Sequence, residues 1–342
     1  MSREPDMVRK LARRNSQRGA ALLTAMVIVS LIATLASAMV WQQWRAVQVE
    51  AAERARAQGQ WILAGATDWA RLILREDAKA DRAKGNNSTD NLGEPWAVPL
   101  AESNLSTFLA ADKSDAGAAP DAFLSGTIID ATSFYNLQNL AVPQRGLQPQ
   151  QAQEKLEIQK AILVRIVGLA GATPGCVDLI TNGMRDALAS VTGGASSSAD
   201  APLTPKTIDE LTWFGVTKAD IEKLRPYVTI LPATPVPVNV NTASKEVISA
   251  VAAIDLATAD RVVQLRAKKP FTSTSDAQTQ SGARAGSFTG FSTNTTYFFV
   301  RGRLRTEDRA VEEQALMIRS GDDVKVQYRQ RLNALDSPTP GG

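Results

Sequence analysis

Residues able to do acid–base or nucleophilic chemistry are scarce in this 342-residue chain. It holds no histidine, which removes Ser-His-Asp and Cys-His catalysis and every His-ligated metal site. Its one cysteine, Cys176, has no partner for an intramolecular disulfide, and its apolar flanks read as a small buried side chain. No motif supplies the nucleophile–base pair or carboxylate pair that a membrane-bound hydrolase would need. Asn86, Asn87, Asp90 and Glu94 form an oxygen-rich cluster, but they sit in "KGNNSTDNLGEPWAVPL" (Lys84–Leu100), a composition typical of a loop. Asp186 stands before and Asp200 within "TGGASSSADAP" (Thr192–Pro202), a flexible insert by composition. Neither group reaches the six to eight oxygens that calcium takes, and the residue pattern assigns no metal ligand.

Charge and hydropathy set the N-terminus apart. Residues 1–19 carry six basic residues against Glu4 and Asp6, a net of +4, so the rest of the chain holds −1 of the formal total of +3. The basic balance therefore belongs to the N-terminus, and bulk charge gives the remainder no nucleic-acid footprint. From Ala20 to Trp41 there is no charge, and the next is Arg45. About 20 apolar residues cross a bilayer as a helix, and the basic flank is expected to stay cytoplasmic. A secretory signal places its cut after the apolar core; here the glycine stands before it, and Trp41, Gln42 and Gln43 follow the core.

A basic leader ending in glycine before an uncharged helix resembles the type IV prepilin signal. The resemblance implies that a prepilin peptidase cuts between Gly19 and Ala20, that Ala20 becomes N-methylated, and that residues 1–19 are removed while the helix stays. Pilins of this kind usually carry Glu at the fifth position after the cut, where it faces a neighbour's N-terminal amine. Here that position is Thr24, which cannot make the pair but can bond back to its own helix. A subunit without the carboxylate suits the end of a filament.

The elements that follow are read from periodicity. Val40 to about Leu74 lacks proline, and Val47, Ala51, Ala55, Trp61, Ile62, Ala66, Trp69 and Ile73 recur at helical spacing. This predicts a transmembrane and stalk helix over 20–76. "FLSGTIIDATSFYNLQNL" (Phe123–Leu140) reads as a two-stranded hairpin turning near Asp130. Helical periods run from Gln150 to about Leu224, and from Thr296 the period returns to two in an antiparallel meander. The expected fold class is α+β: a type IV pilin-like fold, its N-terminal helix packed on an antiparallel sheet, with a large inserted all-α domain. The expected divisions are the first part of the head at 77–138, the insert at 139–286, the returning strands at 287–335 and a disordered tail at 336–342.

Within the insert, "NVNTASKEVISAVAAIDLATADRVVQLRAKKPFTSTSDA" (Asn239–Ala277) resembles a helix-hairpin-helix module, the like part spanning 239–282. Thr242 is expected to cap a helix bearing Val247 and Ile248; a second helix bears Val262 and Val263; Pro270 stops it, Phe271 packs on the pair and Ser275 starts a third. One family with this pattern binds DNA, including membrane-anchored receptors of transformation systems, through a glycine-rich hairpin. The hairpin here, "AIDL" (Ala253–Leu256), has no glycine, and Asp255 would repel a phosphate. Lys268 and Lys269 read as a solvated helix end.

The other family is the minor pseudopilin K of type II secretion systems. "RGAALLTAMVIV" resembles its processing site without the glutamate, "SFYNLQNL" (Ser133–Leu140) its Phe-Asn-Leu-Asn-Leu stretch, and "LRPYVTILPATPVPVNVNTAS" (Leu224–Ser244) its approach to the helical pair. This resemblance covers nearly the whole mature chain. It implies a non-enzymatic subunit at the tip of the pseudopilus, initiating or capping the filament and supporting export across the outer membrane. Implied partners are minor pseudopilins I and J, the major pseudopilin and the prepilin peptidase, with tip contacts to secreted substrate or secretin and no nucleic acid. The implied location is the bacterial inner membrane, single-pass, N-terminus cytoplasmic and head periplasmic. No cofactor is firm: the family is associated with calcium (Ca2+) in the inserted domain, but the acidic segment expected there is replaced by "DLITNGMRDALASVTGGASSSADAP".

Overall fold

The computed structural model describes residues 5–85, 89–105, 122–141, 148–192, 202–233, 235–306 and 310–332, with the backbone alone for 5–19, 84 and 189–192. Asn86, Asn87, Asp200 and the tail 336–342 lie outside the described residues, as does most of the insert Thr192–Pro202. The chain divides into two units, 1–62 and 63–342. Helix α1 runs Pro5–Lys84, so the first unit is helix throughout its described length. There the apolar residues are exposed all round; Leu22, Met26, Ile28, Ile32, Leu35 and Val40 each show more than half their surface. Such a surface cannot be satisfied by water and calls for lipid or other helices.

The second unit begins on the last turns of α1. A loop carries the chain to β1 (Leu100–Asn104), then β2 (Ala122–Asp130), the short β3 (Tyr135–Asn136), α2 (Pro149–Ala170), α3 (Cys176–Thr192) and α4 (Lys218–Leu224). The short β4 (Val228–Thr229) and β5 (Val238–Asn239) lead to α5 (Lys245–Ala252), α6 (Leu256–Lys268) and α7 (Thr274–Ser281). After β6 (Phe291–Ser292) come β7 (Tyr297–Thr306), β8 (Ala310–Ser320) and β9 (Asp323–Leu332). Five strands form one antiparallel sheet in the order β1-β2-β7-β8-β9. Strands β2 and β7 are direct neighbours, Asp130 opposite Phe298 and Ala122 opposite Thr306, yet residues 131–296 lie between them in sequence. The α+β architecture is thus a sheet with a helical block hung from one end of two adjacent strands.

One face of the sheet receives α1. Leu63, Thr67, Ala70 and Leu74 are buried at spacings of three and four, and Ala70 and Leu74 pack with Phe298, Val300, Met317, Val324 and Trp96. A Cβ on Gly302 would stand 3.2 Å from Leu63 Cδ2, so glycine there admits the helix to close range. The buried stripe differs from the one expected: Trp61 and Trp69 are exposed, Val47 is exposed, and Ile62, Ala66 and Ile73 are half-buried at its edge. The reason is geometric, since the line that meets the sheet runs through Leu63, Thr67, Ala70 and Leu74, and the indoles project to its sides. The opposite sheet face packs Phe299 and Leu316 against Ala131, Leu231 and Val236 of the insert.

The insert has two apolar centres. In one, α2 (Ile162, Leu163, Ile166), α3 (Val177, Ile180, Met184) and Leu137, Leu140, Leu211 and Ile221 close on each other, with Cys176 buried as expected. Gly183 lies under the Phe214 ring, where a Cβ would come within 2.3 Å. In the other, Val247, Ile248, Ala259 and Val262 pack around Phe271. Helix α2 starts on Pro149 with a Gln148/Gln151 capping box and stops at Gly171, φ 64°. Four expectations fail locally. The hairpin near Asp130 does not exist: β2 ends there, a 3-10 turn follows, and β3 pairs in parallel with β4. Ser244, not Thr242, caps α5, because the Thr242 hydroxyl donates to Asp130 Oδ2 at 2.6 Å. Val263 is only partly buried, and Ser273 rather than Ser275 caps α7.

Candidate functional site

Three places expected to carry function can be built from their residues. The first is the N-terminal helix. Gly19, Ala20 and Thr24 all lie within α1. The Thr24 hydroxyl donates to the Ala20 carbonyl at 2.9 Å, Ser30 to Met26 O at 2.6 Å and Thr34 to Leu31 O at 2.9 Å. The hydroxyls of Thr24, Ser30 and Thr34 thus find acceptors inside the helix, as an apolar environment favours. The stretch is long and apolar enough to cross a membrane.

The second is the helix-hairpin-helix. Helices α5 and α6 are joined by Ala253, Ile254 and Asp255, with Ala253 left-handed at φ 53°. Asp255 accepts from Thr258 N at 2.9 Å and from the Thr258 hydroxyl at 2.7 Å. Those hydrogen bonds hold its carboxyl below the usual range. A carboxylate thus occupies the N-terminus of α6, where a DNA phosphate would have to sit. Lys268 and Lys269 are exposed. Buried Arg266 donates to Val240 O at 2.6 Å, and burial pulls it down to about 10. Asn241 accepts from Phe271 N at 2.9 Å and donates to Phe271 O at 3.0 Å. This module binds its own chain.

The same device explains "FYNLQNL". Asn136 accepts from Leu231 N and donates to Ala233 O, both at 2.9 Å. Asn139 accepts from Val236 N and donates to Val236 O, both at 2.9 Å. Each side-chain amide replaces a strand partner for a stretch of buried backbone, while Leu137 and Leu140 fill the core beneath.

The third place is a polar seam where α1, the loop after it, the sheet and the insert meet. Arg319, near the end of β8, donates to Asp77 Oδ2 on α1 at 2.8 Å, to Asp90 Oδ1 and to Thr295 O at 3.1 Å. Its guanidinium stands 4.8 Å from the centre of the Phe298 ring. Asp90 Oδ2 accepts from Thr295 N at 2.6 Å, and Asp90 O from Asn239 Nδ2 at 3.0 Å. Asn239 Nδ2 also reaches Asp130 Oδ2 at 2.9 Å. Glu94 accepts from Trp96 Nε1 at 2.6 Å and from the Asn91 amide at 3.1 Å.

Burial pushes the Asp90 carboxyl up to about 6 against the pull of Arg319. It pushes Glu94 up to about 7, the Trp96 N–H opposing and the Asp77 charge adding. Burial works against the charge of Arg319, but Asp90 and Asp77 hold it above the ordinary arginine range.

Asp77, Asp90 and Glu94 bring oxygens within 4.8 Å of one another. They do not make a calcium cage, because Arg319 already pairs with two of the three and the oxygens of Glu94 face Trp96 and Asn91. In the region where the resemblance implies calcium, Asp178 pairs with Lys160 at 2.8 Å and Asp186 with Arg185 at 3.6 Å. The loop reading of Asp90 and Glu94 missed Asp77 and Arg319. A signal existed for Asp77: with Asp81 it continues the spacing of Leu63, Thr67, Ala70 and Leu74, and both are buried. An apolar cavity of about 240 Å³ beside α1, between Ala66, Trp69 and Ile73 and the β2 residues Leu124 and Ile128, has no carboxylate in its lining.

Residues 238–297 match the family model described as type II secretion system (T2SS), protein K. Over 345 residues the chain is 26% identical to the type II secretion system protein K of Pseudomonas aeruginosa, covering 96% of this chain and 97% of that one. The protein K of Dickeya chrysanthemi is 24% identical over 363 residues, 92% of this chain and 96% of the relative. Among solved structures, a similar fold occurs in the crystal structure of the GspK-GspI-GspJ complex of the enterotoxigenic Escherichia coli type 2 secretion system. The likeness has a TM-score of 0.62 at 18% identity, over 83% of this chain and 99% of that one.

Proposed function

We propose, from the premise that this chain belongs to the type II secretion system protein K family of minor pseudopilins, that it is an assembly subunit without catalytic activity, placed at the tip of the pseudopilus. The observation that carries this is the insertion between β2 and β7. Hydrogen-bonded neighbours in the sheet are separated in sequence by residues 131–296, so a helical block projects from one end of a pilin-like head. A further subunit stacked at that end would collide with it. Thr24 agrees with the same placement, since its hydroxyl is engaged by its own helix at Ala20 O and offers no charge to the amine of a neighbour.

In this reading a prepilin peptidase cuts between Gly19 and Ala20 and Ala20 is methylated. The uncharged helix holds the subunit in the inner membrane, with its basic start cytoplasmic and its head periplasmic. The relative of known structure was solved with GspI and GspJ; the corresponding subunits are the partners here, with the major pseudopilin beneath and substrate or secretin contacts at the tip. The seam around Arg319 ties α1, the sheet and the insert together, and tip assembly needs no nucleic acid.

The region from Arg45 onward should co-purify with the minor pseudopilins I and J of its system, and Gly19→Leu should leave an uncleaved precursor in the membrane. Normal secretion by a strain lacking the whole protein would refute the tip role. A mature N-terminus other than Ala20 would refute the processing.

A further inference from the structure

The apolar run of α1 ends on an unusual group. Trp41 and Trp44 lie three residues apart on one side of the helix, 58% and 60% exposed. The guanidinium of Arg45 lies over the Trp41 ring at 4.8 Å from its centre. Arg45 is the first charge after Arg18. At about 1.5 Å per residue, the 21 residues Ala20–Val40 span about 32 Å, against a hydrocarbon thickness of about 30 Å. The indoles therefore begin where the hydrocarbon ends. Indoles favour that level because an apolar ring and a polar N–H are both accommodated there. A guanidinium stacked on one of them can reach lipid phosphates without entering the acyl layer.

We infer that Trp41, Trp44 and Arg45 form a headgroup anchor that sets the depth of α1 in the bilayer, the ligand being the phosphate and glycerol layer of the outward-facing leaflet. This rests on the reading of α1 as a membrane helix and adds what fixes its register there. The alternative occupant is another subunit's helix, and the test separates the two. A fixed depth has a consequence for assembly, because a subunit drawn into a filament must pull these side chains out of the headgroup layer together.

The full chain is placed in vesicles of phosphatidylethanolamine and phosphatidylglycerol, with single cysteines introduced at positions 37, 40, 43, 46 and 49. A membrane-impermeant maleimide reads the boundary; buried Cys176 serves as the unreactive control. Protection is expected through about position 40 and reaction from about position 46. The double change W41L/W44L should move the first reactive position outward by about one helical turn, and W41Y/W44Y should restore it, since tyrosine shares the interfacial preference. An unmoved boundary in the leucine variant overturns the proposal. So does a boundary that responds to the substitutions only when other pseudopilins are present, which would assign the indoles to a partner helix. Release of the wild-type chain by alkaline carbonate would overturn the membrane reading itself, and the anchor with it.

Discussion

Replacing Arg319 by methionine keeps an unbranched apolar stem and removes the charge. In the folded protein this strips the cation from Asp77 and Asp90, which are 8% and 1% exposed, and removes the donor to Thr295 O. Breaking a buried ion pair from one side costs about 3–5 kcal/mol because a charge is left unpaired. The cost should depend on pH, with a definite sign. The Asp90 carboxyl already stands at about 6 with Arg319 beside it, and without the cation it must stand higher. An acid whose folded-state value is raised binds more protons folded than unfolded, so stability falls as pH rises through that window. At pH 8 the full penalty of about 3–5 kcal/mol applies. At pH 5 Asp90 is protonated in the variant and the loss shrinks to about 2 kcal/mol, the remainder coming from Asp77 and the lost hydrogen bonds. Urea unfolding of the region from Arg45 onward, followed by tryptophan fluorescence at both pH values, measures the difference. A loss below about 1 kcal/mol at pH 8, or equal losses at the two pH values, would refute the view that Arg319 neutralises the seam.

Glu94 should make wild-type stability fall further as pH rises from about 4.5 to 7, because burial raises its carboxyl to about 7. Glu94→Gln should flatten that part of the profile, whose ceiling is about 3 kcal/mol, as read by the same titration. Asn139→Ala removes both bonds to Val236 and leaves a buried N–H and C=O unpartnered, at a cost of about 2–4 kcal/mol. Asn139→Asp should do no better, because its carboxylate would face the Val236 carbonyl; a loss under about 0.5 kcal/mol in either variant would contradict the clamp. Ala253 is exposed and left-handed at φ 53°, so Ala253→Gly should stabilise by about 0.5–1 kcal/mol, the strain relieved outweighing glycine's entropy, seen as a higher Tm.

Sequence alone determined the features that depend on neighbours along the chain. The uncharged run from Ala20, the helical pair around the Ala253–Asp255 hairpin and the alternating strands after Thr296 are each set by local periodicity and composition, and each stands where it was expected. The absence of histidine bounded the chemistry without any structure. Tertiary structure decided what depends on distant partners. Arg319 meets Asp77 across 242 positions and Asp90 across 229; helical spacing marks Asp77 as buried, but nothing local names the partner of any of the three. "FLSGTIIDATSFYNLQNL" looks like a hairpin because its apolar residues alternate on both sides of Asp130. Its second half instead clamps residues 231–236 through Asn136 and Asn139. The stalk face followed the same rule: periodicity said that one side of α1 is buried, but only packing on the sheet, with Gly302 admitting Leu63, chose the line of Leu63, Thr67, Ala70 and Leu74 over the tryptophans. Local patterns fix secondary structure because its hydrogen bonds are short-range, whereas charges and amides buried far from their sequence neighbours take their roles from whichever backbone the fold brings alongside.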